Sequence, residues 1–154
     1  MQALLRLYSR FAAYASYLQS PLLLGVRLYF FWELMTSGWY KLHNIDGFTN
    51  TFVNLNIPFP AFNAHFIAGL ECFGGVLLMI GLGTRLIALL MICNMLVAYW
   101  TADHPALLSF FSDQDKFMAA APFTILLASV VVLVFGPGLF SVDALLAKRL
   151  GIKP

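Results

Sequence analysis

The chain has 154 residues, of which 61% are hydrophobic and only 10% charged, and its mean hydropathy is +0.84. Soluble domains carry about 25% charged residues, so this composition excludes a water-soluble globular protein and selects a polytopic membrane protein of a single domain. The net charge of +2 comes from singly placed basic residues and offers nothing to nucleic acid, and two cysteines without a Cys-x-x-Cys pair indicate neither a zinc site nor a thioredoxin-type centre.

In chain order, residues 3–19 place Leu4, Tyr8, Phe11, Ala15 and Leu18 on one helical face and Arg6 and Arg10 on another. That pattern predicts a helix lying in the headgroup layer rather than a signal peptide. Pro21 then suits the first turn of a spanning helix over 22–43, which ends in an aromatic belt at Trp39 and Tyr40. Residues 44–61 form the longest loop, in which Phe48, Phe52 and Leu55 allow a short interfacial helix before Pro58 and Pro60. The second span covers 62–80, and the tight turn Gly81-Leu82-Gly83-Thr84 makes the third, 85–101, antiparallel to it. An acidic loop with Asp103, Asp113 and Asp115 precedes the fourth span, 117–135, which Pro122 is expected to kink early. Gly136-Pro137-Gly138 ends that span. A short helix over 141–150 follows, with Ser141 at its N-cap, Asp143 in its first turn, Lys148 and Arg149 in its last and Gly151 beyond. The fold class is therefore an all-α polytopic membrane four-helix bundle with interfacial amphipathic helices at both termini.

With four spans the two termini and the 81–85 turn share one side. That side holds Arg6, Arg10, Arg85, Lys148, Arg149 and Lys153, against Lys41 and Lys116 on the other. The positive-inside rule then puts both termini in the cytoplasm of a bacterial inner-membrane protein.

Charges within the spans carry the functional reading. Counted from the cytoplasmic ends of the spans, Glu33 and Glu71 both lie about 15 Å deep and Arg27 about 8 Å deep. On the helical wheel Arg27, Leu34, Gly38 and Lys41 share one stripe, whereas Glu33 lies with Thr36, Ser37 and Tyr40. Arg27 is thus expected to pair with Glu71. Glu33, facing another helix or subunit, is left without a cation, protonated and able to exchange a proton with a quinol. The plainer alternative is that Arg27 and Glu71 only lock two helices together. His43, His65 and His104 are expected at the outer interface without ligand spacing, so neither metal nor haem is indicated. Only His65, on the helix that carries Glu71, is retained as a candidate. Cys72 and Cys93, on adjacent helices at similar depth, read as small buried hydrophobes, with a dithiol as the lesser alternative. Asn94 reads as interhelical glue. No GxSxG, P-loop or HExxH motif occurs.

A set of small motifs recurs in order along the chain. An Arg near the start of the first span is followed by Ser37-Gly38-x-x-Lys41-Leu42, then a loop with phenylalanines and Pro-x-Pro. Glu71-x-x-Gly74-Gly75, Gly81-x-x-Thr84-Arg85, Gly136-Pro137-Gly138 and Ser141-x-Asp143 complete the set. Over about residues 22 to 143 the sequence resembles the DoxX-like family of small membrane proteins; Glu33 and the histidines lie outside that pattern. The resemblance implies a four-helix membrane bundle linked to membrane redox chemistry. Relatives look like subunits of thiosulfate:quinone oxidoreductase and of a terminal quinol oxidase, and others are associated with oxidant and thiol stress and with soluble partner enzymes.

The expected function is therefore an accessory, quinone-interacting membrane subunit of a redox complex. Arg27, Glu33 and Glu71 would carry its chemistry, and Trp39, Lys41 and His65 would border the quinone headgroup. Expected partners are the lipid bilayer, a protein subunit or soluble redox enzyme, or a second copy of the chain. The alternatives are a non-catalytic adaptor that recruits soluble redox or stress enzymes and, less favoured, a small proton-coupled transporter.

Overall fold

Every regular element in the computed structural model is helical. It describes residues 2–151, with side chains from residue 17 onward. The elements are α1 (Gln2–His43), α2 (Ile45–Asn54), α3 (Pro60–Ile80), α4 (Thr84–Thr101), α5 (His104–Leu108), α6 (Gln114–Ala119), α7 (Pro122–Phe135) and α8 (Val142–Leu150).

Two expected boundaries are corrected. The segments 3–19 and 22–43 form one helix, because α1 runs unbroken through Pro21. A proline inside a helix removes one N–H and frees the carbonyl four residues earlier. Here Pro21 and Tyr17 lie on one exposed face, so that loss falls outside the packed interior. The side chains of Leu4, Arg6, Tyr8, Arg10, Phe11 and Ala15, and Lys153 altogether, lie outside the described residues. The expected span 117–135 is broken rather than kinked. Residues 117–119 belong to α6, Ala120 is extended (φ −67°, ψ 140°), and α7 starts afresh with Pro122 in its first turn. The 14 residues of α7 extend only about 21 Å.

The packing is arranged inside out relative to a soluble protein. α1 lies against α3, α3 against α4, α4 against α7, and α7 against α1, closing a cycle. Its core takes Phe31 and Leu34 from α1, Leu78 from α3, Ala88, Met91 and Met95 from α4, and Ile125, Ala128 and Val132 from α7. Small and polar residues are also inside, among them Ala64, Ala68, Gly74, Gly75, Arg27 and Glu71, while Phe66, Phe73, Leu86, Leu89, Val97, Leu127 and Val134 face outward. Large apolar side chains outside and small ones at helix contacts suit a hydrocarbon solvent, where close backbone approach replaces the hydrophobic effect as the packing force. α3 and α4 are each long and apolar enough to cross a membrane. A Cβ on Gly38 would collide with the backbone of Glu71 and Cys72, and one on Gly75 would stand 2.9 Å from the Met35 nitrogen. At these two positions α1 and α3 meet backbone to backbone.

Candidate functional site

The first polar centre forms where α3 turns into α4. Arg27 is fully buried, and its guanidinium donates to four carbonyls: Nε to Leu78 at 2.8 Å, Nη2 to Met79 at 2.6 Å, and Nη1 to Pro137 at 2.6 Å and Phe140 at 3.1 Å. The last carbonyls of a helix have no partner within it. Arg27 satisfies two of them on α3 and ties the 136–140 loop to the same point. Gly81 closes α3 at φ 75°, and a Cβ there would run into the Arg27 guanidinium, so only glycine fits both the backbone and the space.

Asp143, in the first turn of α8, serves the other side of the turn. Its Oδ1 accepts the Gly83 N–H at 2.8 Å, and its Oδ2 accepts the Thr84 N–H at 2.9 Å and the Thr84 hydroxyl at 2.7 Å. Its own N–H donates to the Gly81 carbonyl at 2.9 Å. The N-cap of α4 is Gly83, which has no capping side chain, so Asp143 caps that helix from a distance. Partial burial works against the carboxylate, but the two Thr84 bonds, the Gly83 bond and the nearby Arg27 charge outweigh it. The Asp143 carboxyl is held below the usual range. Ser141 completes the junction by donating to Gly138 O at 2.8 Å and capping α8 at the Ala144 N–H.

The second centre lies farther along the α1–α3 contact. Lys41 Nζ is 2.5 Å from Glu71 Oε2, with the carboxylate side chain 5% exposed and the lysine 27%. The Lys41 ammonium also sits 5.0 Å from the centroid of the Phe48 ring of α2, at cation–π range. From Gly81, Glu71 stands about 15 Å along α3, within the apolar span.

A third feature faces away from the bundle. Leu28, Tyr29, Trp32, Glu33 and Thr36 line a shallow groove of about 360 Å³ on the outward side of α1 alone. Glu33 is exposed there, while Thr36 Oγ1 is turned onto the Glu33 carbonyl at 2.8 Å. Glu33 stands about 9 Å along α1 from Arg27.

The expected site residues are thus redistributed. Arg27 does not pair with Glu71: α1 begins far ahead of residue 22, so Arg27 is level with Gly81 at the end of α3 and is occupied by carbonyls. Lys41, expected at a headgroup border, is the actual partner of Glu71. The sequence carried a signal for this, since Gly38 and Lys41 share a stripe and Gly38 fits only against another backbone. Glu33 points outward, as its place on the wheel suggested. Trp39 and His65 are exposed and are not brought to Lys41; Trp39 packs on His43, and His65 Nδ1 lies 2.7 Å from the Ala61 carbonyl. Cys72 is buried and Cys93 exposed, both free. Asn94 Nδ2 and Ser129 Oγ are buried without a hydrogen-bond partner. Asp143 was read as a first-turn acid of its own short helix and as part of the Ser141-x-Asp143 motif; its role at α4, about 60 residues away in sequence, follows from tertiary structure alone.

Comparison with known proteins identifies a family. The family model described as DoxX matches residues 22–104, which covers α2 to α4, most of α1 and the start of α5. No curated protein and no solved structure matches the chain.

Proposed function

The chain belongs to the DoxX family of membrane proteins, and from that premise we propose that it is an accessory, quinone-interacting subunit of a membrane redox complex. In this reading α1, α3, α4 and the α6–α7 segment make a four-span bundle in a bacterial inner membrane. The basic residues around the α3–α4 turn and in α8 favour the cytoplasm for that side.

The observation that carries the proposal is Glu33. A carboxylate on the outward face of a membrane helix is costly against hydrocarbon, so it calls for a partner from outside the chain. The residues present fit a quinone: the aromatic surfaces of Tyr29 and Trp32 flank the carboxyl in a groove open to the bilayer. A bound quinone supplies two-electron, two-proton carrier chemistry. Glu33 would hold or pass a proton at its carboxyl oxygens, while Tyr29 and Trp32 orient the ring. Because, among the described residues, the groove is lined by α1 alone, the opposite wall falls to another subunit, which is the sense in which the protein is an accessory. Lys41–Glu71 and Arg27 then act as supports that fix α1, not as reactants.

The test is gentle detergent extraction followed by mass analysis of co-purifying quinones and proteins. Wild type is expected to retain quinone and a redox partner, and Glu33→Leu to lower retained quinone about fivefold, as loss of one neutral hydrogen bond would. Wild type that carries neither quinone nor a redox protein would overturn the reading. A second reading, a non-catalytic adaptor, is favoured by α8, whose Leu145, Leu146 and Leu150 are exposed beside Lys148 and Arg149. There, removing α8 is expected to release the partner while Glu33→Leu has no effect.

A further inference from the structure

One charged residue of the motif set has no role in the two centres above. Arg27, Lys41, Glu71 and Asp143 all find partners, but among the described residues Arg85 makes neither an ion pair nor a hydrogen bond. It also occupies the first turn of α4, the helix end whose dipole disfavours a cation. Arg85 therefore does not stabilise its own helix.

Arg85 does border a cleft of about 610 Å³ at the α3–α4 turn, distinct from the α1 groove. The cleft is walled by Gln19 and Ser20 of α1, Arg85 and Leu86 of α4, Phe135 of α7 and Ala147 of α8. We infer that this cleft binds an anionic phospholipid, with the phosphate on Arg85 and an acyl chain running out over Leu86 and Phe135. The Arg85 guanidinium lies near Gly136. Ser20 Oγ accepts the Leu139 N–H at 3.3 Å, and the Gln19 amide is exposed beside it. The one acid in the wall, Asp143, has both oxygens turned onto Gly83 and Thr84 and is countered by Arg27. Lys148 and Arg149, just beyond Ala147, add positive charge at this end. An amphiphile is favoured over a soluble anion because Leu86, Phe135 and Leu139 are all more than half exposed at the cleft and lead onto the apolar outer surface. A lipid phosphate at the end of the spans reaches Arg85 without leaving its own layer.

The experiment is native mass spectrometry of the intact chain in detergent, titrated with phosphatidylglycerol and, separately, with phosphatidylcholine. The expected result is one retained phosphatidylglycerol, bound at least fivefold tighter than phosphatidylcholine and not displaced by millimolar inorganic phosphate. Arg85→Gln is expected to remove about fivefold of that preference, as loss of one basic residue at an anionic surface would, and Arg85→Lys to keep most of it. Ala147→Trp fills the cleft with every charge intact and is expected to abolish tight retention, with circular dichroism confirming the helical fold. Equal binding of the two lipids, displacement by free phosphate, an unchanged preference in Arg85→Gln, or retained phosphatidylglycerol in folded Ala147→Trp would each overturn the inference. Should Arg85→Gln not fold, the Ala147→Trp result decides.

Discussion

α1 carries two cations that meet α3, and they are used in opposite ways. Arg27 directs its guanidinium at four backbone carbonyls from two segments of the chain, whereas Lys41 directs its ammonium at one carboxylate. The planar fork of an arginine suits several fixed acceptors at once, while a lysine is a point charge on a flexible stem. The exposures agree, with Arg27 fully enclosed and Lys41 about a quarter exposed. The difference separates a fastener from a polar contact with freedom to adjust.

The largest expected effect follows from that contrast. Arg27→Met leaves the buried carbonyl of Leu78 and the partly buried ones of Met79, Pro137 and Phe140 without this donor. Unfolding in detergent is expected to show a loss of about 3–5 kcal/mol, since several carbonyls each lose a charged donor. Arg27→Lys should recover less than half, because an ammonium cannot reach the acceptors in fork geometry. A cost for Arg27→Met no greater than that for a change at Glu71 would erase the distinction.

A smaller effect tests the acidic member of the same junction. The Asp143 carboxyl is held below its usual range in the folded protein. Its contribution is therefore complete above the unfolded pKa of about 3.9 and is lost as pH falls through the lower folded value. Stability should be flat from neutral pH down to about pH 4 and fall below it, whereas Asp143→Asn should blunt that acid limb. At neutral pH the substitution is expected to cost about 1–3 kcal/mol, as a hydrogen-bonded charge that also caps a helix would. An acid limb unchanged in Asp143→Asn would detach Asp143 from the junction.

The same two centres show which kinds of information a sequence holds. Local chemistry was legible: Gly-Leu-Gly-Thr forced the hairpin, and Ser141 and Gly151 marked the ends of α8, where the side-chain cap and the left-handed glycine are found. The anomalous acid in an apolar helix was visible as Glu71, and the outward face of Glu33 could be read from the wheel. Depth was misjudged wherever it was counted from a proline. Treating Pro21 as a helix start set Arg27 inside the span, and it also hid how far α1 extends. Pro122 misled the other way, because a kink and a break look alike until Ala120, two residues before the proline, is seen to be extended. The bonds of Asp143 and the carbonyl partners of Arg27 were not legible at all, since backbone acceptors carry no residue-type signature and join segments more than 50 residues apart.

The smallest effect is expected at the second centre and sharpens the comparison most. Glu71→Gln removes the charge but keeps the shape of the side chain, and Lys41 is left as a cation 27% exposed near the end of α1. A long lysine stem can swing its ammonium outward to the interface, so that cation need not stay buried unpaired. The cost should therefore be about 1–2 kcal/mol, closer to a single charged hydrogen bond than to a stranded buried charge. A double-mutant cycle with Lys41→Gln separates the pair from its surroundings, with a coupling of about 1 kcal/mol expected if Lys41 relaxes as described. A coupling as large as the whole Arg27→Met effect would mean that Lys41 cannot escape, and the pair would then be a second fastener between α1 and α3. A small coupling keeps Glu71 available to change its partner, which only the adjustable centre of the two can do.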